Sequence, residues 1–379
     1  MSIQRKLLNK IKHSPKSVLL LGPRQTGKST LIGSLKPDLS INLADEEVFV
    51  EFLRDPGLLK RRIGNAKTVF IDEVQRLPSL LNTVQTLIDA KAGQKFYLTG
   101  SSAQKLKRGK ANLLPGRIFV YNLGPLSASE LGADFDLNHA MSFGLLPEPA
   151  LTESPEIAKK LLRSYSTTYL KEEIQAEALT RNLEGFSRFF EVIAEKSGTF
   201  LDFTKFSSQA AIERTSAKRY FDILCDTLIT EQVTPFTKSQ KRRLIQHPRY
   251  YFFDVGVLNG VLNNFEASAD RKGLLFEHLF LQLVLSEFKA SDKDFRVSVY
   301  RTEGGSEVDF VFETGKELFA VEVKASKTLG PKDFTGLKSF KDFYGKACTC
   351  LVVYTGANVQ DYGGILAMPI KEALATICS

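Results

Sequence analysis

The stretch SVLLLGPRQTGKSTLIGSL, residues 17–35, constrains the fold of this chain more than any other. A short apolar run, a glycine-bearing turn and an apolar-periodic segment follow one another without a gap, which predicts strand, tight loop and helix. Gly22 and Gly27 bracket four residues ahead of Lys28 and Ser29, the G-x-x-x-x-G-K-[ST] spacing in its required strand-to-helix context. Glycines at those points let backbone N–H groups close around phosphate oxygens, and the helix that follows presents its positive end to them. The loop Gly22, Pro23, Arg24, Gln25, Thr26, Gly27, Lys28, Ser29 and Thr30 is therefore the expected nucleotide cradle. Lys28 reaches the β- and γ-phosphates of ATP in this scheme, and the Ser29 hydroxyl ligates Mg²⁺.

A second strand, KTVFIDEVQ, ends in Asp72 and Glu73. Asp72 is expected to hold the Mg²⁺ shell, and Glu73 to orient or deprotonate the attacking water. A third, KFYLTGSSA, ends in Thr99, Ser101 and Ser102, either a γ-phosphate sensor or a plain turn of small residues. INLAD reads as a further strand with Asp45 at its end, and GRIFVYNLG as a fifth preceded by Arg117. Arg117 is open to two readings, an arginine finger or a surface arginine.

The segments GPRQTGKST, VFIDEVQ, YLTGSSA and PGRIFVYNLGPLSASEL, in that order over roughly residues 15 to 135, resemble the prokaryotic AAA-type ATPases that carry a C-terminal domain of unknown function. The resemblance implies an additional-strand P-loop core, with the third strand lying between the phosphate-loop strand and the Walker B strand. It brings mechanism more than biological purpose.

At 379 residues the chain predicts several modules, taken here as a P-loop ATPase domain over 1–145, a helical and winged-helix-like domain over 150–262, and a third domain over 263–379. Proline and glycine thicken at GLLPEPALTESPE, which suits the first boundary. A helix is expected from near Pro155 through LLRSYSTTYLKEEIQAEAL, where Tyr165, Tyr169, Glu172 and Glu173 are similar to a segment of the same family. Beyond it, TKFSSQAA and TSAKRYFDILCDTLI have the cadence of a helix-turn-helix, with Phe221, Leu224 and Leu228 inward and Arg214, Lys218 and Arg219 exposed or near the helix start. Between Thr237 and Arg249 five basic residues stand with no acidic one. Such a wing grips a nucleic-acid backbone or packs against a neighbouring ATPase, and both readings stand. Asp254, in RYYFFDVGVL, reads as a capping residue.

The final module holds SEVDFVFETGKELFAVEVKAS, residues 306–326. Gly315-Lys316 suits a two-residue hairpin loop, which pairs Thr314 with Glu317 and, counting outward, sets Asp309 opposite Glu322 and Glu307 opposite Lys324. Two carboxylates facing each other repel unless a cation lies between them. Mg²⁺ accepts one or two such carboxylates, and Lys324 nearby is placed to orient a water or stabilise developing charge. The D-x₁₂-E-x-K arrangement resembles the PD-(D/E)xK restriction-endonuclease-like superfamily. That resemblance implies a restriction-endonuclease-like α/β fold and a glutamate delivered to the metal from the preceding helix. Glu277, on the apolar stripe of RKGLLFEHLFLQLVLSEF, matches that place. The expected metal set is Ser29 and Asp72 with nucleotide, and Glu277, Asp309 and Glu322 in the hairpin; the site either cleaves or survives as a relic fold.

The formal charge of +8 fits an acidic partner such as DNA, and a protein partner or a homo-oligomer is equally compatible with it. Cys225, Cys348, Cys350 and Cys378 form no C-x-x-C pair and match no histidine cluster, which suits reduced thiols in a cytoplasmic setting. The basic N-terminal stretch has too short an apolar run for a signal peptide, and no segment reaches membrane-spanning length. The expectation is thus an ATP- and Mg²⁺-dependent ATPase joined to a nuclease-like domain that acts on or regulates nucleic acid. The alternative is an ATP-dependent switch whose nuclease-like domain binds without cleaving.

Overall fold

The computed structural model describes residues 3–55, 57–91, 93–101, 114–169, 182–237, 247–315 and 317–379. The chain divides into two compact units, Met1–Leu126 with Asp226–Ile229 and Lys289–Asp292, and Ser127–Cys225 with Thr230–Phe288 and Lys293–Ser379.

In the first unit five parallel strands, β1 (Ser17–Leu21), β2 (Leu39–Asn42), β3 (Thr68–Asp72), β4 (Lys95–Gly100) and β5 (Ile118–Asn122), run in the order β2-β3-β4-β1-β5. β4 lies between β1 and β3, where the third strand was expected. Both faces of the sheet are covered, so β1 is apolar along its length rather than alternating. Leu19 and Leu21 pack into one core with Phe52, Val69, Ile71 and Leu81, while Val18 and Leu20 pack into the other with Leu7, Ile11 and Tyr97. Asp45 lies beyond β2 and caps the helix Glu46–Arg54 by accepting from the N–H groups of Glu47 and Val48.

The second unit begins with short helices and the helix Pro155–Ser164, which runs into a π-turn over Tyr165–Tyr169. Glu172, Glu173 and the rest of that expected helix lie outside the described residues, as does most of the basic loop between Thr237 and Arg249. Three helices, Leu183–Glu195, Phe203–Gln209 and Arg214–Asp226, precede the antiparallel pair β6 (Thr230–Pro235) and β7 (Arg249–Phe252). Phe221 and Leu224 are buried and Arg214, Lys218 and Arg219 exposed, as the helical period requires. Leu228 falls past the helix end, with a left-handed φ of 60°.

Asp254 caps the helix Val255–Val261 and, fully buried, accepts also from Leu145 N–H at 2.8 Å and Gln282 Nε2 at 2.7 Å. The helix can approach this closely because Gly256 carries no side chain; a Cβ there would lie 2.1 Å from the Phe143 carbonyl oxygen.

The long helix Lys272–Ser291 leads into β8 (Arg296–Arg301), β9 (Glu307–Thr314) and β10 (Glu317–Lys324), then β11 (Thr349–Tyr354), β12 (Gln360–Asp361) and β13 (Leu366–Pro369). These strands form one eight-stranded sheet in the order β12-β13-β11-β10-β9-β8-β6-β7. β6 and β7 therefore belong to it: Thr234 pairs with Ser298 and Pro235 with Val299 in parallel, and Phe236 packs into the same core as Val308, Val311 and Phe340. The sheet runs without interruption across the boundary expected near residue 262.

Candidate functional site

The phosphate loop is built on backbone contacts that only its sequence permits. Gly22 leaves β1 against Leu123, whose carbonyl oxygen would sit 2.1 Å from any Cβ, and Gly27 takes a left-handed φ of 89° before the helix Lys28–Gly33. The Thr26 hydroxyl donates to the Pro23 carbonyl at 2.8 Å. Lys28 is buried and donates to the carbonyls of Gly22 and Pro23, each at 2.8 Å. Burial pulls its ammonium down to about 8, against the upward pull of Glu73 and Asp72. That pull places Lys28, Asp72 and Glu73 within electrostatic reach of one another, as a nucleotide site needs. Ser29 and Thr30 are exposed at the start of the helix, and Arg24 and Gln25 lie on the loop itself, Gln25 with a φ of 59°. A hydroxyl and a carboxylate are the kinds of donor that Mg²⁺ takes beside phosphate oxygens, and Ser29 at the helix start and Asp72 at the end of β3 carry one of each.

One positioning group, Arg5, escaped the sequence reading, and a second, Thr99, was open there to two readings, a γ-phosphate sensor or a turn residue. Arg5, buried, donates to the Thr26 carbonyl at 2.6 Å and to the carbonyls of Gly124 and Pro125 at 2.8 and 3.2 Å. It braces the loop against the chain that leaves β5. Thr99, at the end of β4, donates its hydroxyl to Asp72 Oδ1 and accepts from the Glu73 N–H at 3.2 Å. Glu73 itself sits at a left-handed φ of 56° and accepts from Gln75 Nε2. Thr99 thus holds the Asp72 side chain and the Glu73 backbone together; Ser101 is buried and Ser102 lies outside the described residues.

Arg117 precedes β5, which runs parallel to β1 with Ser17 beside Ile118. It therefore stands at the end of the sheet away from the phosphate loop, with Nε and Nη2 donating to Asp89 at 2.6 and 3.0 Å. This placement leaves it no reach to the loop of its own chain.

The C-terminal hairpin has the register expected for a two-residue loop: Thr314 pairs with Glu317, and pairing continues to Phe310 with Val321. The same count sets Asp309 across from Glu322, but there the backbone ladder stops. Asp309 Oδ2 instead accepts from the Val323 N–H at 2.9 Å. Glu322 Oε1 accepts from Lys324 Nζ at 2.6 Å, while Oε2 is buried with no partner. Glu277, on the helix Lys272–Ser291, accepts from the Tyr251 hydroxyl at 2.6 Å. Burial, with the charge of Asp309, pushes the Glu277 carboxyl up to about 7 and that of Glu322 up to about 8. Lys324 is held above the ordinary lysine range, burial opposing and the Glu322 carboxylate prevailing.

Glu277, Asp309 and Glu322 therefore share one electrostatic neighbourhood, and a residue that the sequence reading passed over stands among them. Arg249, at the start of β7 with its side chain only 11% exposed, lies 3.2 Å through Nη1 from Glu277 Oε1 and 3.6 Å from Asp309 Oδ1. Its Nη2 pairs with Glu307, which Arg301 also meets at 3.5 Å. Among the described residues no three His, Cys, Asp or Glu side chains are grouped to hold a metal ion. The only advance sign of Arg249 was a basic residue opening the otherwise apolar strand RYYF.

The fold and the loop define the class of the N-terminal region: residues 14–132 match the model of an AAA domain, and this region is a P-loop AAA-type ATPase domain. Two further models follow, both domains of unknown function, DUF8612 over 134–268 and DUF4143 over 272–373. Among curated proteins, the chain is similar to the uncharacterized protein Rv2008c of Mycobacterium tuberculosis, 26% identical over 325 residues, 85% of this chain and 73% of that protein. It is also similar to the uncharacterized protein MJ1544 of Methanocaldococcus jannaschii, 24% identical over 376 residues, 90% of this chain and 81% of that one. Among solved structures, a chain from a study of DNA unwinding at forked dsDNA by Pif1 helicases aligns at 12% identity and TM-score 0.27. That alignment covers 48% of this chain and spans 59% of the other. Protein VC1899 of Vibrio cholerae aligns at 10% identity and TM-score 0.22 over 96% of each chain. At such TM-scores neither informs the fold. Among the described residues no helix is long and apolar enough to cross a membrane.

Proposed function

We propose that this chain is an ATP-hydrolysing P-loop ATPase whose nucleotide state controls a C-terminal nuclease-like domain acting on or regulating nucleic acid. The convergence of Lys28, Asp72 and Glu73 at the phosphate loop carries the first half of this reading. Bound Mg²⁺ with ATP supplies a polarised γ-phosphate; Lys28 binds its oxygens, Asp72 and Ser29 hold the metal shell, and Glu73 holds the attacking water. The gathering of Asp309, Glu322, Lys324 and Glu277 supports the second half, because it follows the nuclease-like pattern in order and register. The three helices followed by the β6–β7 pair have the order of a winged helix, and the exposed Arg214, Lys218 and Arg219 suit contact with a phosphate backbone.

A second reading, a switch whose nuclease-like domain binds without cutting, is favoured by one observation: the guanidinium of Arg249 among the carboxylates. One comparison tests both. Wild type, Lys28→Ala and Asp309→Ala are assayed for ATP hydrolysis, for DNA and RNA cleavage with Mg²⁺ or Mn²⁺, and for nucleic-acid binding across a salt series. Hydrolysis that survives Lys28→Ala overturns the ATPase assignment. Cleavage lost in Asp309→Ala supports the first reading. Salt-steep binding without cleavage supports the second, and the absence of both points to a protein partner.

A further inference from the structure

The carboxylates of the C-terminal hairpin pose a charge problem that the structure has already solved. Glu277, Glu307, Asp309 and Glu322 gather from one helix and two strands, and buried anions need partners. Glu322 uses Lys324 and Glu307 shares Arg301, but the charge that faces Glu277, Asp309 and Glu307 together belongs to Arg249. We infer that Arg249 is the resident cation of the Glu277, Asp309 and Glu307 carboxylates, and that the Glu277–Asp309 pair accepts a divalent metal only when the guanidinium is removed.

Three observations hold the arginine there. Its backbone is gripped on both sides, paired with Val233 of β6 and bridged to Phe200. Its guanidinium lies over the Phe200 ring at 4.9 Å, and that of Arg301 over the same ring at 4.8 Å. Its Nη1 also donates to the Tyr251 hydroxyl at 3.4 Å, which in turn donates to Glu277. The oxygens a metal would use are thereby committed: Glu277 Oε1 to Tyr251 and Arg249, Asp309 Oδ2 to the Val323 N–H, Glu322 Oε1 to Lys324. Mg²⁺ or Mn²⁺ demands close, nearly octahedral oxygen ligation, which a guanidinium 3.2 Å from Glu277 Oε1 and 3.6 Å from Asp309 Oδ1 obstructs by both occupancy and charge. With the arginine in place the residues do not fit a metal. With it gone, Glu277 Oε1 and Asp309 Oδ1 are the oxygens released for one.

This inference deepens the nuclease-like reading of the same site, but its test reads metal binding rather than cleavage, so the two fail separately. Mn²⁺ binding to the nucleotide-free full chain is followed by electron paramagnetic resonance and by thermal midpoint. Wild type, Arg249→Lys and Asp309→Asn are expected to behave alike, with no site that depends on Asp309. The pair Arg249→Met with Glu307→Gln removes the cation together with one carboxylate, which lowers the uncompensated buried charge. It is expected to gain one Mn²⁺ site and a rise of roughly 5–10 °C at a hundredfold excess over Kd. A Mn²⁺ bound by wild type and lost in Asp309→Asn overturns the inference, as does a folded double variant that gains no site. Should the double variant not fold, the comparison of wild type with Asp309→Asn decides alone.

Discussion

The guanidinium of Arg5 holds the carbonyl oxygen of Thr26 at 2.6 Å, tying the middle of the phosphate loop to a residue that precedes the whole P-loop core. The same side chain reaches Gly124 and Pro125, so one buried arginine fixes the loop relative to the end of β5. Charged hydrogen bonds of this kind contribute about 1.5–3 kcal/mol each. Arg5→Ala is expected to weaken binding of a non-hydrolysable ATP analogue by roughly tenfold to a hundredfold, measured by calorimetry. Arg5→Lys, which cannot span three carbonyls, is expected to recover only part of that loss.

Thr99 touches both acidic residues of the β3 terminus, one through its hydroxyl proton and the other through its lone pair. Thr99→Val keeps the shape and removes both bonds. The expected result is a kcat lower by about tenfold to a hundredfold with nucleotide affinity nearly unchanged, because the groups displaced act on the water and metal rather than on binding. A mere loop residue would leave kcat alone.

Lys28 is held at about 8 in the free protein, and bound phosphates restore its charge. Nucleotide binding should therefore take up about half a proton at pH 8 and almost none at pH 6.5. Calorimetry of wild type in buffers of different ionisation enthalpy reads this directly, and Lys28→Met should abolish it.

Glu277 and Glu322 titrate near 7 and 8 in the folded chain, against 4.5 for an ordinary glutamate. The folded state thus binds more protons than the unfolded state above 4.5, and stability falls as pH rises through those values. His278, buried and pushed down to about 4 from 6.5, acts in the opposite sense below 6.5. The clean window is therefore pH 6.5 to 7, in which the thermal midpoint of wild type should decline; above 7 the Cys348 thiol, pulled down to about 7 by its hydrogen bond with Cys350, opposes the two glutamates. Glu322→Gln should flatten that decline, and an unchanged slope would remove Glu322 as its source.

Much of the N-terminal architecture was legible because its rules are local. A strand, a glycine turn and a lysine at fixed spacing define the loop, and the strand that ends in Asp72 falls where parallel topology needs it. The hairpin register was legible for a similar reason, since a two-residue loop fixes every pair that follows. Arg249 was not. It precedes Glu277 by 28 residues and meets it only through the pairing of β6 with β8, a contact that no periodicity announces. Arg5 was hidden likewise, its partner Gly124 lying 119 residues away. Arg117 shows the converse: adjacency in sequence to an informative strand suggested a role, and the strand's direction carries it to the end of the sheet away from the phosphate loop of its own chain.

The parallel pairing of Thr234 with Ser298 and Pro235 with Val299 limits how this protein can be taken apart or recombined. The family models part between residues 268 and 272, and that junction is a natural place to cut a gene. Severing there would bare the flank of β8, an open strand edge of the kind that draws chains into aggregates. It would also strand the acidic hairpin without the arginine that neutralises it. A shuffled or truncated C-terminal piece would thus inherit the acidic pattern but not its counter-charge, so the heritable unit and the cooperative folding unit of this chain differ in extent.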